Sequence, residues 1–237
     1  MAIATLADAL KPAGVDLDCG GATEQCTLMW GALTMDSGCG VFILDAEGQI
    51  LYSNDLAADR FGLDSDGPAG RLHDVLPERV ADEQLDMIRL ALDHGGPIQI
   101  QGMLRGVFSL TSYRQVPGAE DKIIAVTRPC QSLRAASTRG GPRVMRARFD
   151  DHGELDKLTN REVEVLRLIG LGRSTAAIAE ELHRSVKTIE WHRVSLGNKL
   201  GVTNRVELAR IAINAGLAAL DEPHAGAKAV MPPEKKR

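Results

Sequence analysis

The chain has 237 residues, 44% hydrophobic and 25% charged, an ordinary balance for globular protein that allows one large domain or two small ones, and its 3% aromatic content makes the cores aliphatic. No run of about 18 apolar residues occurs and the opening MAIATLADALKPAGVDLD lacks a basic segment before a long apolar one, so the chain is expected to have no membrane span and no signal peptide, and to be cytoplasmic. The net charge of −4 hides an asymmetry: residues 1–128 carry nine Lys/Arg against nineteen Asp/Glu and residues 157–217 carry ten against six, so only the second half suits nucleic acid.

Residues 1–38 are expected to form an N-terminal segment with a short helix near Thr23–Met35. Val41–Leu44 and Ile50–Ser53 flank a turn containing Gly48 and predict a hairpin. Asn54 then caps a short helix through Phe61. Pro77–His94 predicts a longer helix, with Val80, Leu85, Ile88, Leu90 and Leu92 as its apolar stripe and Gly95-Gly96 ending it. Three β-prone runs follow, Ile98–Met103, Val107–Gln115 and Lys122–Thr127, the last two joined by a turn at Pro117-Gly118. Residues 39–128 therefore make one α+β domain. The breaker-rich stretch Ala135–Pro142 marks 129–156 as a flexible linker, and residues 219–237 are expected to be a disordered tail.

The four cysteines, Cys19, Cys26, Cys39 and Cys130, form no Cys-x-x-Cys pair and have no neighbouring histidine to complete a zinc pattern. They are expected to be reduced thiols, with redox sensing as the alternative.

Capping chemistry places four helices in 157–218. Thr159-Asn-Arg-Glu162 is a capping box, in which the threonine oxygen takes the backbone N–H three residues on and the glutamate reaches back. That helix runs to Gly170-Leu-Gly172. Ser174 caps a second through Leu182, Ser185 a third through Leu200, and Asn204-Arg-Val-Glu207 opens a fourth that ends near Gly216. Only His183-Arg184 separates the second from the third, the spacing of a helix-turn-helix. On the third helix Val186, Ile189, Leu196 and Leu200 fall on one side and predict a core face. Lys187, Glu190, Trp191, Val194 and Asn198 fall opposite and predict an exposed one.

Leu158–Leu166, Gly172-Arg-Ser174, Ile178–Leu182, Ser185–His192, Lys199–Val202 and Arg205–Leu208 together resemble the LuxR-type (GerE-like) DNA-binding domain, in register over about sixty residues. The resemblance implies double-stranded promoter DNA as partner and a homodimer as the binding form. It places Glu190, Trp191 and Val194 at base-reading positions and Lys187 facing the DNA backbone. Glu190 can accept from cytosine N4 and Val194 can meet a thymine methyl. Trp191 has packing along the helix or against a partner domain as its alternative. Ser185, with the N–H groups that follow it, is a phosphate-contact candidate at the positive helix end. Thr188, Arg193 and Lys199 are further candidates, and His192 serves packing or a phosphate. Region 4 of a sigma factor, the rival helix-turn-helix, is disfavoured by His192, Lys199–Val202 and Arg205, and by the absence of an upstream helical core-binding region.

In the first domain, Asp45–Asn54 followed by Ala57-Ala58, and Gly70–Leu76 after them, resemble the opening of a PAS sensor domain over about ninety residues. The fold class expected is thus an α+β PAS-like sensor domain followed by an all-α four-helix LuxR-type helix-turn-helix domain. A phosphoreceiver is disfavoured because the βαβαβα order is missing. An acyl-homoserine-lactone-binding domain would be longer and richer in aromatic residues. No Asn-Cys-Arg-Phe signature of flavin-linking domains is present, and His73 and His94 are read as surface or helix-end histidines. The sequence thus supports neither flavin nor haem, and leaves the cofactor unknown. The chain carries no catalytic frame and no metal cluster, so an enzyme is not expected. The function expected is a DNA-binding transcriptional regulator whose PAS-like domain senses a signal or docks a kinase or another regulator. The alternative is an antagonist that pairs with a related regulator without acting at promoters itself.

Overall fold

The computed structural model describes residues 38–63, 70–116, 119–130 and 144–218. The helix expected near Thr23–Met35, the turn at Pro117-Gly118, the stretch Ala135–Pro142 and the tail after residue 218 lie outside the described residues. The described residues divide into two compact units, one within 38–102, 109–129 and 144–151, the other comprising 103–108, 130 and 152–218.

A six-stranded sheet of order β2-β1-β5-β4-β3-β6 underlies the first half. The expected hairpin pairs β1 (Gly40–Asp45) with β2 (Ile50–Ser53), with a bulge at Ile43/Leu44. Asp45 makes the turn, its Oδ1 accepting from the N–H groups of Glu47 and Gln49 at 3.1 and 2.8 Å, a side-chain mimic of a backbone turn. Asn54 does two jobs while buried. Its Oδ1 accepts from Ala57 N at 3.0 Å, capping α1 (Asp55–Phe61), and from Val41 N at 2.9 Å, tying that cap to β1. Next come α2 (Leu72–Val75) and α3 (Glu78–His94), which ends at Gly95 in the left-handed region. The remaining long strands are β3 (Ile98–Leu104), β4 (Val107–Val116) and β5 (Ala119–Pro129). β5 pairs antiparallel with both β1 and β4, so it runs through the interior of the sheet. The β3–β4 turn, Arg105-Gly106, has positive φ at both residues, as a type I′ hairpin turn requires. Leu44, Ile50, Ile88 and Ile123 are each at most 1% exposed and centre the core.

Two expectations shift here. On α3, Leu90 and Leu92 are half-buried, whereas Glu83 and Gln84 are buried with Val80, Ala81, Leu85, Met87, Ile88 and Ala91. The buried face is therefore wider than an apolar stripe and includes two polar side chains. Second, part of the segment expected to be flexible linker is built into structure. β6 (Val144–Arg146) pairs parallel with β3, and Gly153–Lys157 forms a 3-10 turn. Strand pairing supplies partners for backbone groups that a linker would leave to water.

The second half holds α4 (Asn160–Gly170), α5 (Thr175–Glu181), α6 (Val186–Leu200) and α7 (Arg205–Asn214). Val165, Leu166, Leu168 and Ile169 of α4 meet Ile178 of α5, Ile189 and Leu196 of α6 and Leu208 and Ala212 of α7 in one aliphatic core. At about 1.5–3 kcal/mol for each large side chain buried, this core dominates the stability of four short helices. Gly170 permits the close approach of α4 to α7: a Cβ there would lie 2.6 Å from Ala212 Cβ and 2.7 Å from Ala218 Cβ. Val186, expected in the core face, is 46% exposed. It is the first residue of α6, about 70° around the helix from the line of Ile189 and Leu196 by the 3.6-residue turn.

Candidate nucleic-acid interface

The candidate interface is built by two caps that meet at one turn. α5 ends in a Schellman arrangement: Arg184 N donates to Ala179 O at 2.8 Å and His183 N to Glu180 O at 3.1 Å, with His183 at φ 51°. Arg161 of α4 closes the same end, its Nη2 donating to Leu182 O at 2.8 Å while Nη1 holds Glu164 at 2.7 Å. One residue after Arg184, Ser185 caps α6, its Oγ accepting from Thr188 N at 3.1 Å. The two hydroxyls of Ser185 and Thr188 lie 2.8 Å apart. The chain thus turns from α5 into α6 within four residues, 182–185, and the N–H groups of the first turn of α6 point out at its positive end.

From that end one face is open. Lys187, Glu190, Trp191, Val194 and Asn198 are all exposed, and they lie within about 100° of arc at 3.6 residues per turn. Trp191 is 65% and Val194 63% exposed. Trp191 packs edge-on against His192, with ring centroids 5.3 Å apart, and otherwise presents its indole outward. An open aromatic beside an open aliphatic residue has little reason to stand in water unless something covers it. Ser185 is exposed at the cap and Thr188 half-buried beside it.

Arg193 and Lys199 stand apart from this face. Arg193 flanks the core and is half-buried, its Nε buried without a hydrogen-bond partner; His192, on the other flank, leaves Nδ1 likewise. Lys199 turns inward, its Nζ 2.6 Å from Glu162 Oε2. Glu162 is the hub. Its side chain is 3% exposed and accepts from Lys199 and from Ser195 Oγ at 2.7 Å, both on α6, and from Thr159 N at 2.8 Å and Thr159 Oγ1 at 2.9 Å. Burial alone pushes its carboxyl up, but the hydrogen bonds from Lys199, Ser195 and Thr159 outweigh that and hold it down at about 2. The capping box legible in the sequence therefore also pins α6 to α4. Arg161 and Glu162 gave no sign of these reaches, since their partners lie 21, 33 and 37 residues away. Val186 could have been suspected from its place in the first helical turn.

In the sheet half, His73 Nε2 lies 3.0 Å from Asp82 Oδ1, and both His73 and His94 are exposed. Among the described residues no group of three His, Cys, Asp or Glu side chains is arranged to hold a metal ion. None of their helices is long and apolar enough to cross a membrane. Tyr113 is buried, its hydroxyl donating to Gln84 Oε1, and burial followed by the nearby Glu83 charge raises its pKa above the ordinary value.

Two domain classes account for these halves. Residues 156–212 match the bacterial regulatory proteins of the luxR family, and residues 29–128 match the PAS fold. The chain carries a LuxR-family helix-turn-helix domain behind a PAS-fold domain. Among curated proteins, it is 40% identical over 65 residues to the uncharacterized response regulatory protein YgeK of Escherichia coli K12, covering 27% of this chain and 44% of that one. It is 48% identical over 58 residues to the transcriptional regulatory protein UhpA of the same organism, covering 24% and 30%. The chain thus spans less than half the length of these relatives. A solved structure of the phage VqmA-DPO complex is similar over 82% of this chain and 91% of that one, at 19% identity and a TM-score of 0.41.

Proposed function

We propose that the protein is a cytoplasmic transcriptional regulator that binds promoter DNA as a homodimer, with the PAS-fold domain receiving a signal molecule or docking a kinase or another regulator. The observation that carries DNA binding is the open face of α6: Lys187, Glu190, Trp191 and Val194 stand exposed at the start of the second helix of a helix-turn-helix, where such helices meet base edges in the major groove. Glu190, Trp191 and Val194 are assigned to base edges. Lys187 and the α6 N-terminus at Ser185 and Thr188 are assigned to phosphates. Arg193 remains a flanking phosphate candidate. Lys199 is assigned to positioning, because its ammonium is already neutralised by Glu162. Binding rather than catalysis is the activity supported by the luxR-family match.

Selection of bound sequences from a random library, followed by footprinting, tests this. The expected outcome is a two-fold symmetric site whose half-sites are about 10 bp apart, one helical turn. Protection of a single asymmetric half-site by a monomer at full affinity would refute the dimer. Absence of any specific binding by the purified chain would favour an antagonist that acts by pairing with a related regulator.

A further inference from the structure

Residues 144–150 lie along the edge of the PAS-fold sheet, and several independent features hold them there. β6 extends the sheet beside β3. Ala147 N donates to Gln101 O at 2.8 Å just beyond it. Gly102 leaves the room this needs, since a Cβ there would come 2.5 Å from Ala147 Cβ and 3.2 Å from Asp150 Oδ1. Glu83 of α3, its side chain 3% exposed, accepts from Arg148 N at 2.9 Å, Phe149 N at 3.2 Å and Arg148 Nε at 3.1 Å. The guanidinium groups of Arg79 and Arg148 sit 5.7 and 5.9 Å from the Phe149 ring.

Glu83 makes this an unequal bargain. A buried carboxylate is stable only while donors surround it. Among the described residues, every hydrogen-bond donor to Glu83 comes from Arg148 or Phe149. Lifting the segment strands the charge, so the contact is held or lost as a unit. Next to Glu83 on α3 is Gln84, the acceptor for the buried Tyr113 hydroxyl of β4. A rearrangement inside the sheet therefore has a route of one residue to the anchor. Downstream, only residues 151–158 separate the anchored segment from the Thr159 cap of α4.

We infer that residues 144–150 are a releasable strap, anchored by Glu83, through which the PAS-fold domain controls the length of the connection to the DNA-binding helices. The inference rests on the regulator function proposed above. With the strap seated, only residues 151 and 152 separate it from the ordered turn Gly153–Lys157 that leads into α4; with it released, at least nine residues do. The effective concentration of one DNA-binding domain for the second half-site falls roughly as the −3/2 power of the length of the flexible tether, up to about tenfold here.

The test uses the full chain with Glu83→Gln and, separately, Arg148→Pro, which removes two of the three donors to Glu83, the Arg148 N–H and Nε, and leaves α3 untouched. Hydrogen exchange is followed at Ala147 and Phe149, with the β1 and β5 amides as control, and affinity is measured on the selected symmetric DNA. Both variants are expected to speed exchange at Ala147 and Phe149 by about tenfold or more, the loss that goes with a charge-assisted hydrogen bond, with the control amides unmoved. DNA affinity is expected to fall severalfold, up to about tenfold. If Glu83→Gln speeds exchange throughout the sheet, it has disturbed the fold, and Arg148→Pro alone decides. Unchanged exchange in Arg148→Pro overturns the anchor. Faster exchange with unchanged DNA affinity overturns the control of DNA binding and leaves the regulator function standing. Failure of the unaltered chain to bind any DNA overturns that function and the control together, whereas the exchange data still decide the anchor.

Discussion

Two glutamates, one in each half of the molecule, have side chains only 3% exposed and are held in opposite ways. Glu162 sits in the third position of its helix, and half of its bonds close a local box with Thr159. Glu83 lies in the first third of α3, and all of its donors come from a segment 65 and 66 residues away. The first begins as helix-capping chemistry and extends into tertiary structure; the second is tertiary from the start. The difference teaches where a buried charge is durable. Glu162 keeps its cap partner whenever α4 is helical, whereas Glu83 loses everything if one strand edge lifts.

The largest effect that would break this contrast is on stability. Glu162→Ala removes a cap, a buried ion pair and a bond to Ser195 together, and is expected to destabilise the helical domain by about 3 kcal/mol. Its pH dependence follows from the depressed pKa. The carboxyl titrates at about 2 in the folded chain against 4.5 when unperturbed, so its contribution is fully present above pH 4.5 and fades as the pH falls toward 2. Denaturant midpoints of the wild type and Glu162→Gln should therefore converge across that window. A gap that stays constant from pH 6 to pH 2.5 would show that the bonds from Lys199, Ser195 and Thr159 favour the ionised carboxylate no more than the neutral acid.

The same contrast explains what could be read from the sequence. Thr159, Ser174, Ser185 and Asn204 each cap the helix assigned to them, because a cap is a contact over three residues. The α6 faces follow from helical period, and Ile189 and Leu196 are fully buried as expected. Val186 escaped because period alone ignores where a helix ends. Hydrophobicity alone puts Leu90 and Leu92 in the core stripe and is silent on Glu83 and Gln84, whose burial depends on the strap and Tyr113 that give the two polar groups partners. β6 was invisible for a related reason: Val-Met-Arg is too short to announce a strand, and the order comes from the edge of β3. Of the interface candidates, Lys187, Glu190, Trp191 and Val194 stand open, and only Lys199 proved to be engaged with a buried partner.

On the DNA side the contrast is between lysines. Glu190→Ala is expected to relax preference at one base position by roughly 1–3 kcal/mol, read from binding to a panel of single-base variants. Lys187→Ala is expected to weaken all sequences alike and to lower the slope of log affinity against log salt by about one unit. Lys199→Met should leave that slope where it is, since its charge is already matched by Glu162. If Lys187 and Lys199 change the slope equally, the division between phosphate contact and positioning residue is wrong.

The smallest effect concerns the turn itself. His183 occupies the C′ position of α5 at φ 51°, between the two hydrogen bonds that close a Schellman motif. Glycine is the residue this position favours, because any Cβ crowds the backbone when φ is positive. Histidine tolerates the left-handed region better than most side chains but still pays for it. His183 is exposed, so nothing in its burial offsets the strain. Glycine also carries more backbone freedom into the unfolded chain, which takes back part of the gain. The net expectation for His183→Gly is a stabilisation of about 0.5–1 kcal/mol, or roughly 2–8 °C in the melting temperature of a domain of 60–100 residues. His183→Val should move the other way, because a β-branched residue is a true outlier at that φ. Thermal unfolding of both variants, alongside DNA binding, separates strain from function. If His183→Gly is more stable and binds DNA as well as the wild type, the histidine is a tolerated misfit at the turn. If it is more stable but binds worse, the imidazole is a DNA contact that the strain maintains, and the open face extends back across the turn from α6 to the end of α5.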